Sequence, residues 1–403
     1  MKKGTVLVLA GLVAIAQSSV SLGIAAAQCP FGPSGYETET AGGQAIVRGS
    51  GTCSNGRPKT SYYSPSGTSS LNGSQYLLFV QGDDDICLPQ PPWDRIFLLQ
   101  HPNTWAGLTT AFDLSAKTEV LPAGTSQDPN YFYGGPNVFT DAGTYYMTAS
   151  KSCGAANFNE ILMGCSTNGT TWTWRTLFKT LAGVNVSAAS LRYSMIGGEH
   201  YWWGFIELSP GQHVPAGFPS CSDCLNLGNC RTGYSGLGAI RVHLTSHATS
   251  SCSSPTWDRV DIWSSGQWKS VSANGQFNFV PDYVSFQEVN PKLTSVGTGW
   301  ELWSTSVCEN NPGAGCGSCN SGNPTNPGAG FRYRSVTASA TGPLAGNPPE
   351  LFSTIRCLPG NYPSSRWMPF RVEWTNLLYS ATKDAVCSSG GDGQYIIVTG
   401  LTP

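Results

Sequence analysis

The chain has 403 residues, with 22 Lys and Arg against 24 Asp and Glu, a formal net charge of −2, and only 11% charged residues. So sparse and balanced a charge, with no basic patch, argues against a nucleic-acid partner. The 48 Gly, 27 Pro and 13 Trp, with no long Ala-, Leu-, Glu- or Lys-rich segment of helical period, exclude a helical bundle and describe a loop-rich β protein with large aromatic anchors.

The N-terminus reads as a leader. Met1-Lys2-Lys3-Gly4 is a short basic start, Thr5 to Ile15 is apolar, and a small-residue stretch ends Ala25-Ala26-Ala27. That is the pattern of a secretory signal peptide over residues 1–27, with cleavage after Ala27. The apolar run is short for a membrane span. Acylation of Cys29 is the alternative, disfavoured by Gln28 before it. Residues 28–403 are expected to form one soluble domain, secreted or periplasmic, with no membrane partner, working as a monomer. The 14 cysteines fit an oxidising compartment and should mostly be paired. Cys221/Cys224 and Cys316/Cys319 have CxxC spacing, but neither has a second pair or a His at zinc-site distance.

Aromatic and β-branched runs follow in five pairs, each split by a polar loop. Tyr76–Val80 pairs with Arg95–Leu99, and Thr144–Met147 with Glu160–Met163. His200–Phe205 pairs with Ala239–Val242, Trp300–Trp303 with Phe331–Arg334, and Asn376–Tyr379 with Gln394–Val398. Four pairs are preceded by a proline that is expected to open a first strand: Arg57-Pro58, Gly135-Pro136, Asn290-Pro291 and Met368-Pro369. Ala188-Ala189-Ser190-Leu191 fills that place in the third unit. A fourth strand follows near Trp172-Thr173-Trp174 and Trp257. The predicted fold is all-β: a five-bladed β-propeller of four-stranded antiparallel blades, its ring closed by an N-terminal strand at Gln44–Arg48. A β-sandwich with a second small domain is the rival.

Gly135-Pro136-Asn137-Val138-Phe139-Thr140-Asp141-Ala142-Gly143-Thr144-Tyr145-Tyr146-Met147 resembles the blade opening of the five-bladed glycosidases, the arabinanase and β-xylosidase family and its fructosidase relatives. Ser166-Thr167-Asn168-Gly169-Thr170-Thr171-Trp172 is similar to their S-x-D-G-x-x-W turn, and Thr341-Gly342-Pro343-Leu344 to another blade ending. The likeness is spread over residues 44–400 and is strongest at 134–174. It implies a carbohydrate partner and glycoside hydrolysis, which needs two carboxyl groups flanking the scissile bond. In that family aspartates precede the blade-opening prolines. Here the matching positions hold Arg57, Gly135, Asn290 and Met368, none of them a carboxylate.

Other acids are therefore the candidates. Glu288, Asp128 and Asp84 are assigned as catalytic, from the loops into the fourth and second blades and the Asp83-Asp84-Asp85 run. Asp94 and Asp282 fall in comparable loops. Strand alternation puts all of these acids on one mouth of the ring. Trp93, Trp105, Tyr131 and Asn290 are assigned to sugar binding, the aromatics by stacking. A propeller that binds glycans without turnover is the alternative. No cofactor is implied. A structural calcium at the Asp triplet is an alternative, although the spacing is not that of an EF-hand loop. The cysteines of the second-to-third-strand loops, with Cys53 and Cys357, are expected to staple the mouth.

Overall fold

The structure, a computed structural model, describes residues 43–54, 58–84, 87, 94–120, 131–153, 158–180, 184, 186–208, 236–249, 251–253, 256–286, 288–296, 299–306, 331–336, 356–358, 367–383 and 394–401. The proposed leader and Asp128 lie outside these residues.

β1 (Gln44–Val47) is the first strand among the described residues. β2 (Ser61–Ser69), β3 (Gln75–Asp83), β4 (Arg95–Pro102) and β5 (Thr118–Glu119) form the first sheet, with helix α1 (Trp105–Thr109) between the last two strands. β6 (Tyr131–Asp141), β7 (Thr144–Cys153), β8 (Phe158–Ser166) and β9 (Thr173–Lys179) form the second. The third holds β10 (Val186–Ile196), β11 (Glu199–Leu208), β12 (Gly236–Leu244), β13 (Trp257–Ser264) and β14 (Gln267–Ser272), with β15 (Ser285–Phe286) beside β12. β16 (Glu288–Val296), β17 (Gly299–Ser306), β18 (Phe331–Val336) and β19 (Arg356–Leu358) form the fourth. β20 (Trp367–Arg371), β21 (Leu377–Lys383) and β22 (Gln394–Gly400) form the fifth, and β1 completes it by pairing antiparallel with β22.

The first strands of the five sheets touch in a closed cycle, β2 to β6 to β10 to β16 to β20 and back to β2. This is the propeller read from the repeat, with the third blade widened by two strands. Polar fasteners run from blade to blade beside the axis. Val138 N–H donates to Ser66 Oγ at 2.9 Å, and the Thr148 hydroxyl to the Ala189 carbonyl. Leu293 N–H donates to Ser190 Oγ at 2.9 Å, Met368 N–H to Thr305 Oγ1 at 2.7 Å, and Gln394 N–H to Ser61 Oγ at 3.3 Å. Apolar layers fill the gaps outside them. Trp202 packs edge-on to Phe139 and against Tyr146 and Trp257, and Phe79 meets Trp172 at a right angle. Each such buried ring contributes about 2–3 kcal/mol.

One detail corrects the sequence reading. Pro136, Pro291 and Pro369 do not open the inner strands; they sit inside them, at a bulge. Register shifts fall between Tyr63 and Ser66, Gly134 and Asn137, Val186 and Ala189, Val289 and Lys292, and Trp367 and Phe370. Ser64, Gly135, Asn290 and Met368 each precede a proline in these bulges, with φ of 51°, 58°, 55° and 55°. In the first blade the repeated unit is thus Ser64-Pro65, whereas Pro58 forms an isolated bridge with Thr52. A bulge excuses the missing proline N–H and bends the strand.

Among the described residues two disulfides are formed. Cys53–Cys87 joins the segment entering the first blade to its β3–β4 loop, and Cys165–Cys252 ties the end of β8 to the β12–β13 loop across blades two and three. Cys357 lies in β19 opposite Arg332, not in the loop entering the fifth blade. No helix among the described residues is long and apolar enough to cross a membrane.

Candidate functional site

The inner strands begin at one end of the ring, called here the mouth, and each second strand finishes there. Asp83 is opposite Ser61, Cys153 opposite Tyr131, and Ser306 opposite Glu288. The third strands start at the same end. Asp83, Asp84, Asp94, Glu207, Glu288 and Asn290 therefore share the mouth, as the alternation of strands requires.

They do not share one environment. Asp84 is exposed; it accepts the Tyr62 hydroxyl at 2.5 Å and pairs with Lys117 Nζ at 3.4 Å. Tyr62 packs against Phe97, so Asp84 braces the rim of the first blade. Asp282 accepts Gly266 N–H at 3.0 Å and caps the β13–β14 turn, on the outer strands. Asp94 faces inward, where its carboxylate accepts the Tyr63 hydroxyl and Gln81 Nε2, the latter at 3.1 Å. Gln81 Oε1 in turn accepts Gly135 N–H at 2.8 Å, bridging blades one and two. Burial pushes the Asp94 carboxyl up against those two donors. Among the described residues no group of three or more His, Cys, Asp or Glu is placed to hold a metal ion.

The strand positions of Glu288 and Tyr131 are at the mouth, but their side chains are outside the described set, as are all of Trp93 and Asp128. Trp105 is misplaced by the sequence reading. β4 runs from the mouth to the far end, where Pro102 faces Gln75, and α1 starts there. Trp105 is 62% exposed on that far face, away from the mouth. Asn290 is at the site, through its backbone: its N–H donates to Glu207 Oε2 at 2.7 Å.

Two residues that sequence reasoning missed lie at the centre. Glu207 is the next-to-last residue of β11, 9% exposed. Burial holds its carboxyl above the usual range, opposed by the nearby Ser187 hydroxyl, the Asn290 N–H and Lys292. Lys292, just past the Asn290-Pro291 bulge, is 1% exposed. Its Nζ donates to the Pro136 carbonyl at 2.5 Å and reaches Ser64 Oγ at 3.5 Å. Burial lowers its ammonium to about 7; Glu207 works against that shift and Arg192 adds to it. The signal was present in the repeat: the residue after the bulge is Ser66, Asn137, Ala189 or Phe370 in the other blades, and Lys292 alone is charged. Glu207 is likewise the lone charge in the Tyr201–Leu208 run.

No family model matches the sequence, and no curated protein matches it. Among solved structures the chain is similar to an arabinanase from Bacillus subtilis, at 15% identity over 83% of this chain and 93% of that one, with a TM-score of 0.42. An endo-arabinanase from Bacillus licheniformis is 12% identical over 88% of this chain and 96% of that one, with a TM-score of 0.44. An exo-β-1,3-galactanase from Clostridium thermocellum is 12% identical over 89% and 63%, with a TM-score of 0.46.

Proposed function

We propose that this chain is an exported, carbohydrate-active propeller that holds a poly- or oligosaccharide at the mouth of the ring and hydrolyses it, with Glu207 as the proton donor. One observation carries the reading. Glu207 is a carboxyl group at the inner edge of the mouth, held above its ordinary range by burial and fixed by the Asn290 N–H. A glycosidic leaving oxygen needs an acid that keeps its proton near neutral pH, and such tuning is how a fold supplies one. The second carboxyl is assigned to Glu288, at the head of the strand that carries Asn290, with Asp128 as a third acid from the segment before β6. Trp93 and Tyr131 are the assigned stacking surfaces. Asp84 and Trp105 drop out, the first because it braces the rim and the second because it lies on the far face.

A second reading, glycan binding without turnover, rests on a specific observation. The five bulges carry Ser64, Gly135, Ser187, Asn290 and Met368, so none of the repeated axial positions presents a carboxylate. A panel of plant and microbial polysaccharides, assayed for both binding and reducing-sugar release, separates the two. Wild type should release sugar from at least one, and Glu207→Gln and Glu288→Gln should each lose about 100-fold or more while still binding. Binding with no release by wild type establishes the second reading. Full turnover by Glu207→Gln removes Glu207 from the acid role.

A further inference from the structure

Lys292 is the one lysine among the described residues that is fully buried. An ammonium taken out of water costs several kcal/mol unless it is well compensated. Here the compensation comes from three other blades. The second offers the Pro136 carbonyl at 2.5 Å, the first the Ser64 hydroxyl at 3.5 Å, and the third the charge of Glu207. The fold does not require this cation. Four other blades build the same slot after the bulge with Ser66, Asn137, Ala189 and Phe370. A side chain that only had to fill the hub would be apolar, as Phe370 is.

We infer that Lys292 is a positioning residue of the mouth site, a cation set into the hub by the Pro136 carbonyl and Ser64 so that its charge acts on the Glu207 carboxyl group. The inference rests on the assignment of Glu207 as the site's acid. The backbone supports it, because Asn290, two residues before Lys292, donates its N–H to Glu207, so one bulge delivers a hydrogen bond to the carboxyl group and a buried charge near it. The other charges near the pair are accounted for. Arg192 on β10 is engaged by Glu373 at 3.1 Å and by the Leu191 carbonyl at 2.9 Å. Arg371 on β20 is engaged by Glu301 of β17 at 2.5 Å. β2 and β6 present only neutral groups, Ser64 and the Pro136 carbonyl, to the lysine nitrogen.

The test follows the two titrations in the full chain. With lysine labelled at the ε-carbon, NMR should show one resonance, missing in Lys292→Met, that titrates well below the other lysines. In Glu207→Gln its midpoint should fall by about one pH unit or more, the usual effect of losing a close opposite charge. With labelled glutamate, the Glu207 midpoint should rise by a similar amount in Lys292→Met, and the alkaline limb of the hydrolysis profile should move with it. A lysine resonance that titrates with the surface lysines, or one unmoved by Glu207→Gln, overturns the inference; these two results do not need the Lys292 variant to fold. A lower rate in Lys292→Met with an unmoved alkaline limb also overturns it, since a purely structural lysine behaves so. Intact coupling beside full turnover in Glu207→Gln overturns the acid assignment instead, so the two failures are distinct.

Discussion

Gly135 offers a direct measure of how tightly the blades are joined at the axis. It sits in the second-blade bulge with φ +58°, where a side chain costs about 1–2 kcal/mol from backbone strain alone. A Cβ there would also lie 2.6 Å from the Ser187 carbonyl oxygen and 3.0 Å from Ala188 Cβ, both on the neighbouring blade. Backbone cannot swing aside as a flexible side chain can, so overpacking should add about 1–3 kcal/mol. Reduced freedom of the unfolded chain returns about 0.4–1 kcal/mol. Gly135→Ala should therefore destabilise by about 2–4 kcal/mol. Gly73 supplies the control, with φ +72° and nothing within 4 Å of a Cβ, so Gly73→Ala should show the strain alone. Urea unfolding of the three proteins, compared at equal m-values, gives the difference. Equal losses for the two variants would refute the close inter-blade contact at the bulge.

Replacing Cys165 and Cys252 by Ser opens a link across 87 residues, and loop entropy puts the loss at about 4–5 kcal/mol, readable as a lower thermal midpoint. Arg371→Met leaves Glu301, which also accepts Trp303 Nε1 at 2.9 Å, without its buried counter-ion; unfolding should show a loss of about 3–5 kcal/mol. Lys292 gives a pH signature. Its folded ammonium loses its proton near 7, whereas an unfolded lysine keeps it to about 10.4. Between those values the unfolded chain binds more protons, so stability should rise with pH by at most about 1.4 kcal/mol per unit, and Lys292→Met should flatten that rise. Trp374 is 71% exposed at φ 63°, a poor conformation for a bulky side chain; Trp374→Asn should gain about 0.5–1 kcal/mol in the same unfolding assay.

The blades were legible because their signal is local and repeated. Tyr76–Val80 and Arg95–Leu99 became β3 and β4, and the run at Gln44, expected to close the ring, became the strand beside β22. The bulges were harder. An X-Pro pair reads equally well as a strand start or an interruption, and only long-range pairing shows that Pro65, not Pro58, belongs to the series. The site was least legible. Asp84 and Asp282 drew attention as loop acids, yet Tyr62, Lys117 and a turn N–H occupy them. Glu207 and Lys292 lie within apolar strands, and their chemistry arises from burial among residues up to 228 positions apart, which spacing along the chain does not encode. Trp105 was a stacking candidate by residue type, and the direction of β4 carried it to the other face.

The pairing of Gln44 with Val398 has a consequence for how the molecule is made. β1 leaves the ribosome before the rest of the ring, yet it can find its neighbour only after the strands up to β22 have been synthesised. Until then β1 and β22 are open edges, able to pair with other chains. A contact this remote in sequence also slows folding, because so long a loop must close before the pairing repays it. Deleting β1 or deleting β22 removes one side of the same seam, so a chain lacking either strand should fail alike.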